Sequence, residues 1–206
     1  MDIGIIGAGH IGGTLARRLG ALGHQIVVAN SRGPETLDET LTSAPGVTAG
    51  TVAQALDHDL VIVSIPTKAV PDLPGSFAGK IVVDTNNYYP SRDGQIAEID
   101  AGTPSSRWAA DHLAGARVVK VFNTINWRPL GDAGKPAGTP GRIALPIASD
   151  DAEAKRVVSE LVDALGFDPV DAGPLDESWR QEPDTPVYGA DADAEGARAA
   201  LAAATR

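Results

Sequence analysis

The 206-residue sequence contains no cysteine. That absence removes a disulfide framework, thiolate zinc ligation, iron–sulfur clusters and a cysteine nucleophile together, so any redox chemistry must be borrowed from a bound carrier. No apolar run approaches the roughly 20 residues that a membrane-spanning helix needs. Positive charge is also scarce: 17 Lys and Arg face 27 Asp and Glu, a formal net charge of -10. Nucleic acid and anionic membrane require a net basic face and are not expected as partners. An anionic small molecule would have to be met by locally placed Arg, Lys or backbone amides. The four histidines are scattered without metal-ligand spacing, so no metal site is expected. The opening "MDIGIIGAG" has no basic segment ahead of its apolar residues and reads as a first strand, which points to a cytoplasmic protein.

What is present is enough apolar material, 43% of residues, for one sizeable core, and the length predicts a single domain over residues 1–206. "DIGIIG" reads as a buried strand. It is followed by a helix whose Ile11, Leu15, Leu19 and Leu22 share one face. A strand over "HQIVVAN", a helix over "GPETLDETLTS", a short strand over "GVTAGT" and a short helix over "TVAQALD" come next. "DLVIVSIP" and "GKIVVDTNN" are continuous apolar runs of the kind buried on both faces of a parallel sheet. "SSRWAADHLAG" predicts a helix and "ARVVKVFNTI" a strand, while "RPLGDAGKPAGTPG", residues 128–141, is too rich in Pro and Gly for regular structure. A strand over "RIALPIASD", an amphipathic helix closed by Gly166 and a last strand over "FDPVDAG" carry the alternation to about residue 171. Residues 171–206 form an irregular tail and an alanine-rich terminal helix. Strands alternating with helices predict an α/β fold, a doubly wound, mainly parallel sheet with a short C-terminal helical extension. Ligands of such sheets lie beyond the carboxyl ends of the strands, where the winding reverses.

Gly7, Gly9 and Gly12 form G-x-G-x-x-G between a predicted strand and a predicted helix, the context that makes this string a dinucleotide fingerprint. Gly7 would permit the tight turn, Gly9 the approach of backbone to pyrophosphate, and Gly12 close packing of helix on strand. His10 and Ile11 fall inside the turn, with His10 a polar loop residue facing the pyrophosphate. At the end of the second strand an NAD site would place an Asp or Glu. Here Asn30, Ser31 and Arg32 stand instead, which inverts the preference toward the 2'-phosphate of NADP(H). A charge-assisted contact of that kind contributes roughly 1.5 to 3 kcal/mol, or on the order of ten- to a hundredfold in affinity. A solvated surface arginine is the bland alternative.

Three later strand ends are polar or kinked: Ser64, Ile65 and Pro66, then Asn86 and Asn87, then Asn123, Thr124 and Ile125. They would project toward the nicotinamide half of the site, although such residues also serve simply to end strands. Lys120 and Asn123 resemble the lysine and asparagine pair of hydroxyacid dehydrogenases, but that pair sits on a helix and "RVVKVFN" alternates like a strand. No proton relay is evident, and no side chain is assigned a catalytic role. Exchange of hydride between two redox carriers needs alignment and exclusion of water more than protein acid or base groups.

Taken together, "IGIIGAGHIGGTLARRLGALGHQIVVANSRGPETL", "VIVSIP", "VVDTNNYY", "VVKVFNTI" and "PVYGAD" resemble the NADPH-dependent coenzyme F420 reductases, or reduced-F420:NADP oxidoreductases, and their relatives. The resemblance implies a Rossmann-type fold, Ser31 and Arg32 on the 2'-phosphate, and the nicotinamide against Ser64–Pro66 and Asn123–Ile125, with a deazaflavin stacked over it. It implies hydride transfer between NADP(H) and coenzyme F420, or a flavin, as a small-molecule redox carrier. Only about 35 residues follow the last strand, too few for the helical substrate domain that imine and hydroxyacid reductases append. Alternatives on the same NADPH site are an imine, ketone, flavin or ferric reductase, or a non-enzymatic NADP(H)-binding redox sensor. Trp127, Trp179 and Tyr188 are candidates to cover a flat ring, and loop 128–141 with tail 174–190 to form an outer wall. A homodimer is expected because the apolar terminal helix needs cover, which its own sheet could equally provide.

Overall fold

A computed structural model describes all residues, Met1–Arg206. The chain runs β1 (Asp2–Ile6), α1 (His10–Ala21), β2 (Gln25–Ala29), α2 (Glu39–Thr42), β3 (Val47–Ala49), α3 (Val52–Leu56), β4 (Leu60–Val63), β5 (Ile81–Asp84), α4 (Pro90–Asp93), α5 (Ala97–Asp100), α6 (Ser105–His112), β6 (Arg117–Lys120), α7 (Trp127–Asp132), β7 (Ala144–Ile147), α8 (Ala152–Ala164), β8 (Asp168–Asp171) and α9 (Ala194–Ala203). Six strands form a parallel sheet in the order β3-β2-β1-β4-β5-β6, the doubly wound Rossmann arrangement, whose winding reverses between β1 and β4.

Alternation within the buried strands divides the interior. Ile3, Ile5, Ile62, Val83 and Val119 join α1 and α8 in one core of 26 buried residues. Ile6, Val61, Val63, Val82 and Val118 join Ala55, Trp108 and Leu113 in a second core of 14 on the other face. Residues alternate across a pleated strand, so a run such as "LVIV" must be apolar throughout to feed both layers. Each fully buried Val, Leu or Ile contributes about 1.5–3 kcal/mol of transfer free energy.

The predicted architecture is the observed one, with four local departures. The helix expected over "GPETLDETLTS" is two short pieces, a 3-10 turn at Pro34–Thr36 and α2. They are separated because Asp38 spends its carboxylate capping the Thr40 amide. The strand expected through residue 125 stops at Lys120, and Phe122 takes a φ of 66°. Residues 128–141 are not wholly irregular, since α7 forms where the Asn126 side chain accepts the Arg128 amide and Pro129 falls in the first turn. The tail likewise contains a 3-10 helix at Leu175–Gln181.

β7 and β8 pair in parallel as a separate two-stranded sheet, joined to β6 by one antiparallel bridge in which Lys120 and Ala148 exchange both backbone hydrogen bonds. α9 lays Ala197 and Leu201 on Ala144, Val170 and Val187 of this small sheet and its flank. The terminal helix thus finds its cover within the chain, and its apolar face gives no argument for a second copy.

Candidate functional site at the carboxyl ends of the strands

The turn from β1 into α1 uses its three glycines differently. Gly7 has a φ of 108°, and a Cβ there would lie 2.0 Å from the Ser64 carbonyl oxygen. A Cβ on Gly12 would lie 1.9 Å from the Gly7 carbonyl oxygen. Both positions are therefore closed to side chains by the protein itself. Gly9 is not: its φ and ψ of -73° and -167° suit any residue, and an added Cβ would meet no protein atom within 4 Å. Nothing in the fold demands glycine there. No side chain caps α1 and no acidic residue occupies its first turn, so its leading amides and the positive end of its dipole are left for an anion. The turn fits a pyrophosphate.

After β2 the chain turns outward. The Asn30 Oδ1 accepts the Arg32 amide at 2.8 Å and the Asn30 Nδ2 donates to the Thr36 hydroxyl at 2.9 Å. Asn30 thereby uses its amide to shape the loop. Ser31 and Arg32 are left exposed, and the Arg32 guanidinium forms no ion pair in a chain of net charge -10. A cation without a carboxylate partner fits a phosphate approaching from outside.

Beyond the winding reversal lies a cleft of about 420 Å³. It is lined by Gly9, His10 and Ile11, by Ser64, Ile65 and Pro66, by Asn86, and by Asn123, Thr124 and Ile125. Ten of the fifteen residues expected at a site therefore meet here. Gly7 and Gly12 build the turn beneath it, and Asn30, Ser31 and Arg32 lie outside the lining. Sequence reasoning did not assign Thr85, Tyr89, Arg92, Phe122, Asn126 and Gly189, which also line it. Tyr89 could have been found two positions past Asn87 in "NNYYP"; Gly189 carries no local signal. Of the three aromatics proposed to cover a ring, Trp127 and Tyr188 line the cleft. Trp179 does not, because it is covered by the Arg180 and Arg206 guanidinium groups at 4.4 and 4.9 Å.

The walls are held by their own networks. His10 stacks on Trp127 with ring centroids 4.9 Å apart, fastening α7 beside the glycine turn. The Asn123 Nδ2 donates to Asn87 Oδ1 at 3.0 Å and to the Gln181 backbone carbonyl at 2.6 Å, while its Oδ1 accepts from the Gln181 side-chain Nε2 at 2.9 Å. The Gly189 amide donates to the Thr124 carbonyl at 2.8 Å. The tail is thus stitched across the strand ends and forms one wall. Phe122 reverses the chain at that point in a left-handed conformation that costs a bulky residue about 1–3 kcal/mol.

Asn86 is fixed from three sides. Its amide donates to Asp84 Oδ1 at 2.9 Å, its carbonyl accepts Lys120 Nζ, and its Oδ1 accepts the Ile65 amide at 2.9 Å. Its Nδ2 is buried with no protein partner. Lys120 itself is fully buried and does not line the cleft. Across the cleft, the hydroxyls of Tyr89 and Tyr188 meet at 2.5 Å. Burial first, and then the Tyr188 hydroxyl, push the Tyr89 phenol up to about 12, against the pull of Arg92, whose guanidinium lies 5.1 Å from the Tyr89 ring. The lining contains no carboxylate.

This geometry has known counterparts. The model of a family described as coenzyme F420-dependent NADP oxidoreductases matches residues 2–88, the stretch that holds the glycine turn, Arg32 and the Ser64 segment. A hypothetical protein of Sinorhizobium meliloti is 34% identical, with 92% of this chain and 94% of that one superposed at a TM-score of 0.80. A candidate F420-dependent NADP reductase of Arthrobacter sp. FB24 is 25% identical over 86% of each chain, with a TM-score of 0.70. The rat metalloreductase STEAP3 is 32% identical over 176 residues, which are 84% of this chain and 34% of that protein. The chain spans less than half the length of the curated relatives it matches. No helix is long and apolar enough to cross a membrane. With its strand order and glycine turn in agreement, residues 2–88 carry the coenzyme F420-dependent NADP oxidoreductase domain, set in a Rossmann fold that the chain shares over its length with the Sinorhizobium meliloti protein.

Proposed function

We propose that the protein passes hydride between NADP(H) and a second, planar two-electron carrier, the deazaflavin coenzyme F420. The observation that carries the reading is Gly9, a glycine that the fold does not need, at the mouth of an uncapped helix on the edge of the cleft. In this reading the amides of α1 hold the pyrophosphate, Ser31 and Arg32 hold the 2'-phosphate, and the adenosine lies over the loop that Asn30 shapes. The nicotinamide end then occupies the cleft beside Ser64–Pro66 and Thr124–Ile125, and Asn86 sets the position of the Ile65 backbone against it. NADPH supplies a hydride when bound; the residues of this chain align it and exclude water.

The identity of the carrier rests on the lining. An amine or iminium substrate is cationic and would draw on a carboxylate, and the cleft has none. Amides, hydroxyls and the faces of Trp127, Tyr89 and Tyr188 suit a neutral or anionic conjugated ring instead. The test is anaerobic mixing of the purified chain with NADPH and oxidised coenzyme F420. Loss of the deazaflavin absorbance in proportion to protein is the expected result, and no change would overturn the reading.

A further inference from the structure

A count of the polar groups in the cleft leaves few free to address a second substrate. The Asn123 and Asn87 amides are spent on one another and on the tail. The Arg92 guanidinium is engaged by the Asn87 carbonyl at 2.6 Å and by Asp93 at 2.8 Å. Thr85 donates to the Val63 carbonyl, and the Asn126 Oδ1 caps α7. What remains is the Asn86 Nδ2 and the Ser64 and Thr124 hydroxyls, which border the nicotinamide end in the reading above, and the Tyr89 and Tyr188 pair, two hydroxyls that share one hydrogen bond and therefore keep one proton unspent.

We propose that this hydroxyl pair is the docking and charge-stabilising point for a carbonyl edge of the second substrate, which makes that substrate a planar conjugated carbonyl compound. The inference rests on the hydride-transfer reading above. Its geometry comes from two distant segments: Tyr89 leads into α4, whereas Tyr188 is held beside the strand ends because the next residue, Gly189, bonds the Thr124 carbonyl. A phenol that accepts a hydrogen bond from another phenol is polarised and donates its own proton more strongly. When hydride reaches a conjugated ring, negative charge grows on the carbonyl oxygen at its edge, and a preplaced donor there stabilises the transition state more than the ground state. The Arg92 charge behind the Tyr89 ring acts in the same direction. A phenol is protonated at neutral pH, and burial pushes Tyr89 further up, so it donates a hydrogen bond without giving up its proton. No acid or base step is required.

The test uses Tyr89→Phe and Tyr188→Phe, which keep the ring and remove only the hydroxyl. On the NADP-loaded protein, the affinity for oxidised coenzyme F420, read by its fluorescence, should fall about three- to tenfold in either variant. The single-turnover rate of its reduction by NADPH should fall about ten- to a hundredfold. Binding of phenazine, a planar ring with no carbonyl, should be weak and unaltered by either substitution, and NADPH affinity should stay within twofold. Unchanged F420 affinity and rate in both variants, or equal losses for F420 and phenazine, would overturn the inference while leaving hydride transfer intact. A wild-type protein that binds NADPH yet reduces no planar carbonyl acceptor would overturn both.

Discussion

Lys120 Nζ and Asp84 Oδ2 lie 3.2 Å apart in the interior, with side chains 0% and 3% exposed, directly beneath the cleft. The pair is completed by Ser106, whose hydroxyl donates to Asp84 at 2.7 Å, and by the Asn86 carbonyl, which accepts from Lys120. Two buried charges gain little over well-packed apolar residues, but one of them left alone is costly. Lys120→Met should therefore destabilise the fold by about 3–5 kcal/mol in urea denaturation. Adding Asp84→Asn should recover a large part of that loss, because no charge is then stranded. Strictly additive losses would contradict the account.

The glycines of the turn should separate stability from binding. Gly9→Ala should leave the stability within about 1 kcal/mol of wild type, since its backbone angles are open to alanine and no atom is in the way. It should weaken NADPH on the order of a hundredfold, about 2.7 kcal/mol. Gly12→Ala, whose new methyl would press on the Gly7 carbonyl, should cost about 1–3 kcal/mol of stability as well. Denaturation and titration of both variants check this, and a destabilised Gly9→Ala would remove the argument that the position is kept for a ligand.

Acid should erase one cap. Hydrogen bonding from Arg117, then from the Ala154 amide at the start of α8, holds the Asp151 carboxyl far below its ordinary range. A depressed carboxylate stabilises the fold above its unfolded value, about 4, and loses that contribution as the pH falls toward its folded value. Asp151→Ala should cost about 1 kcal/mol at pH 7, mainly as a lost helix cap, because the half-exposed ion pair is screened by solvent. The gap between variant and wild type should narrow between about pH 4 and pH 2; a constant gap over that window contradicts the assignment.

The sheet was legible because parallel strands buried on both faces carry uninterrupted apolar runs, and the glycine turn because its spacing and context are local. The cleft was legible at the glycine turn, in the polar segments that follow strands, as at Ser64–Pro66 and Asn123–Ile125, and at Trp127 and Tyr188. What escaped is set by distance or by local competition. Asn123 meets Gln181 across 58 positions, and Tyr89 meets Tyr188 across 99, and no periodicity reports either pairing. Asn30 reads as a ligand contact in a string of polar residues, yet its amide closes the loop that presents Arg32. α7 was hidden by the Pro and Gly content of its neighbourhood, although Asn126 supplies its cap.

The proposed function turns on the exposed Arg32 selecting the 2'-phosphate while the α1 amides grip the pyrophosphate. Titration calorimetry of wild type and Arg32→Ala with NADPH and with NADH tests it most directly. Wild type should prefer NADPH on the order of ten- to a hundredfold, and the variant should lose that preference with NADH affinity nearly unchanged. Equal affinities for both dinucleotides in the wild type, or equal losses for both in the variant, would contradict it.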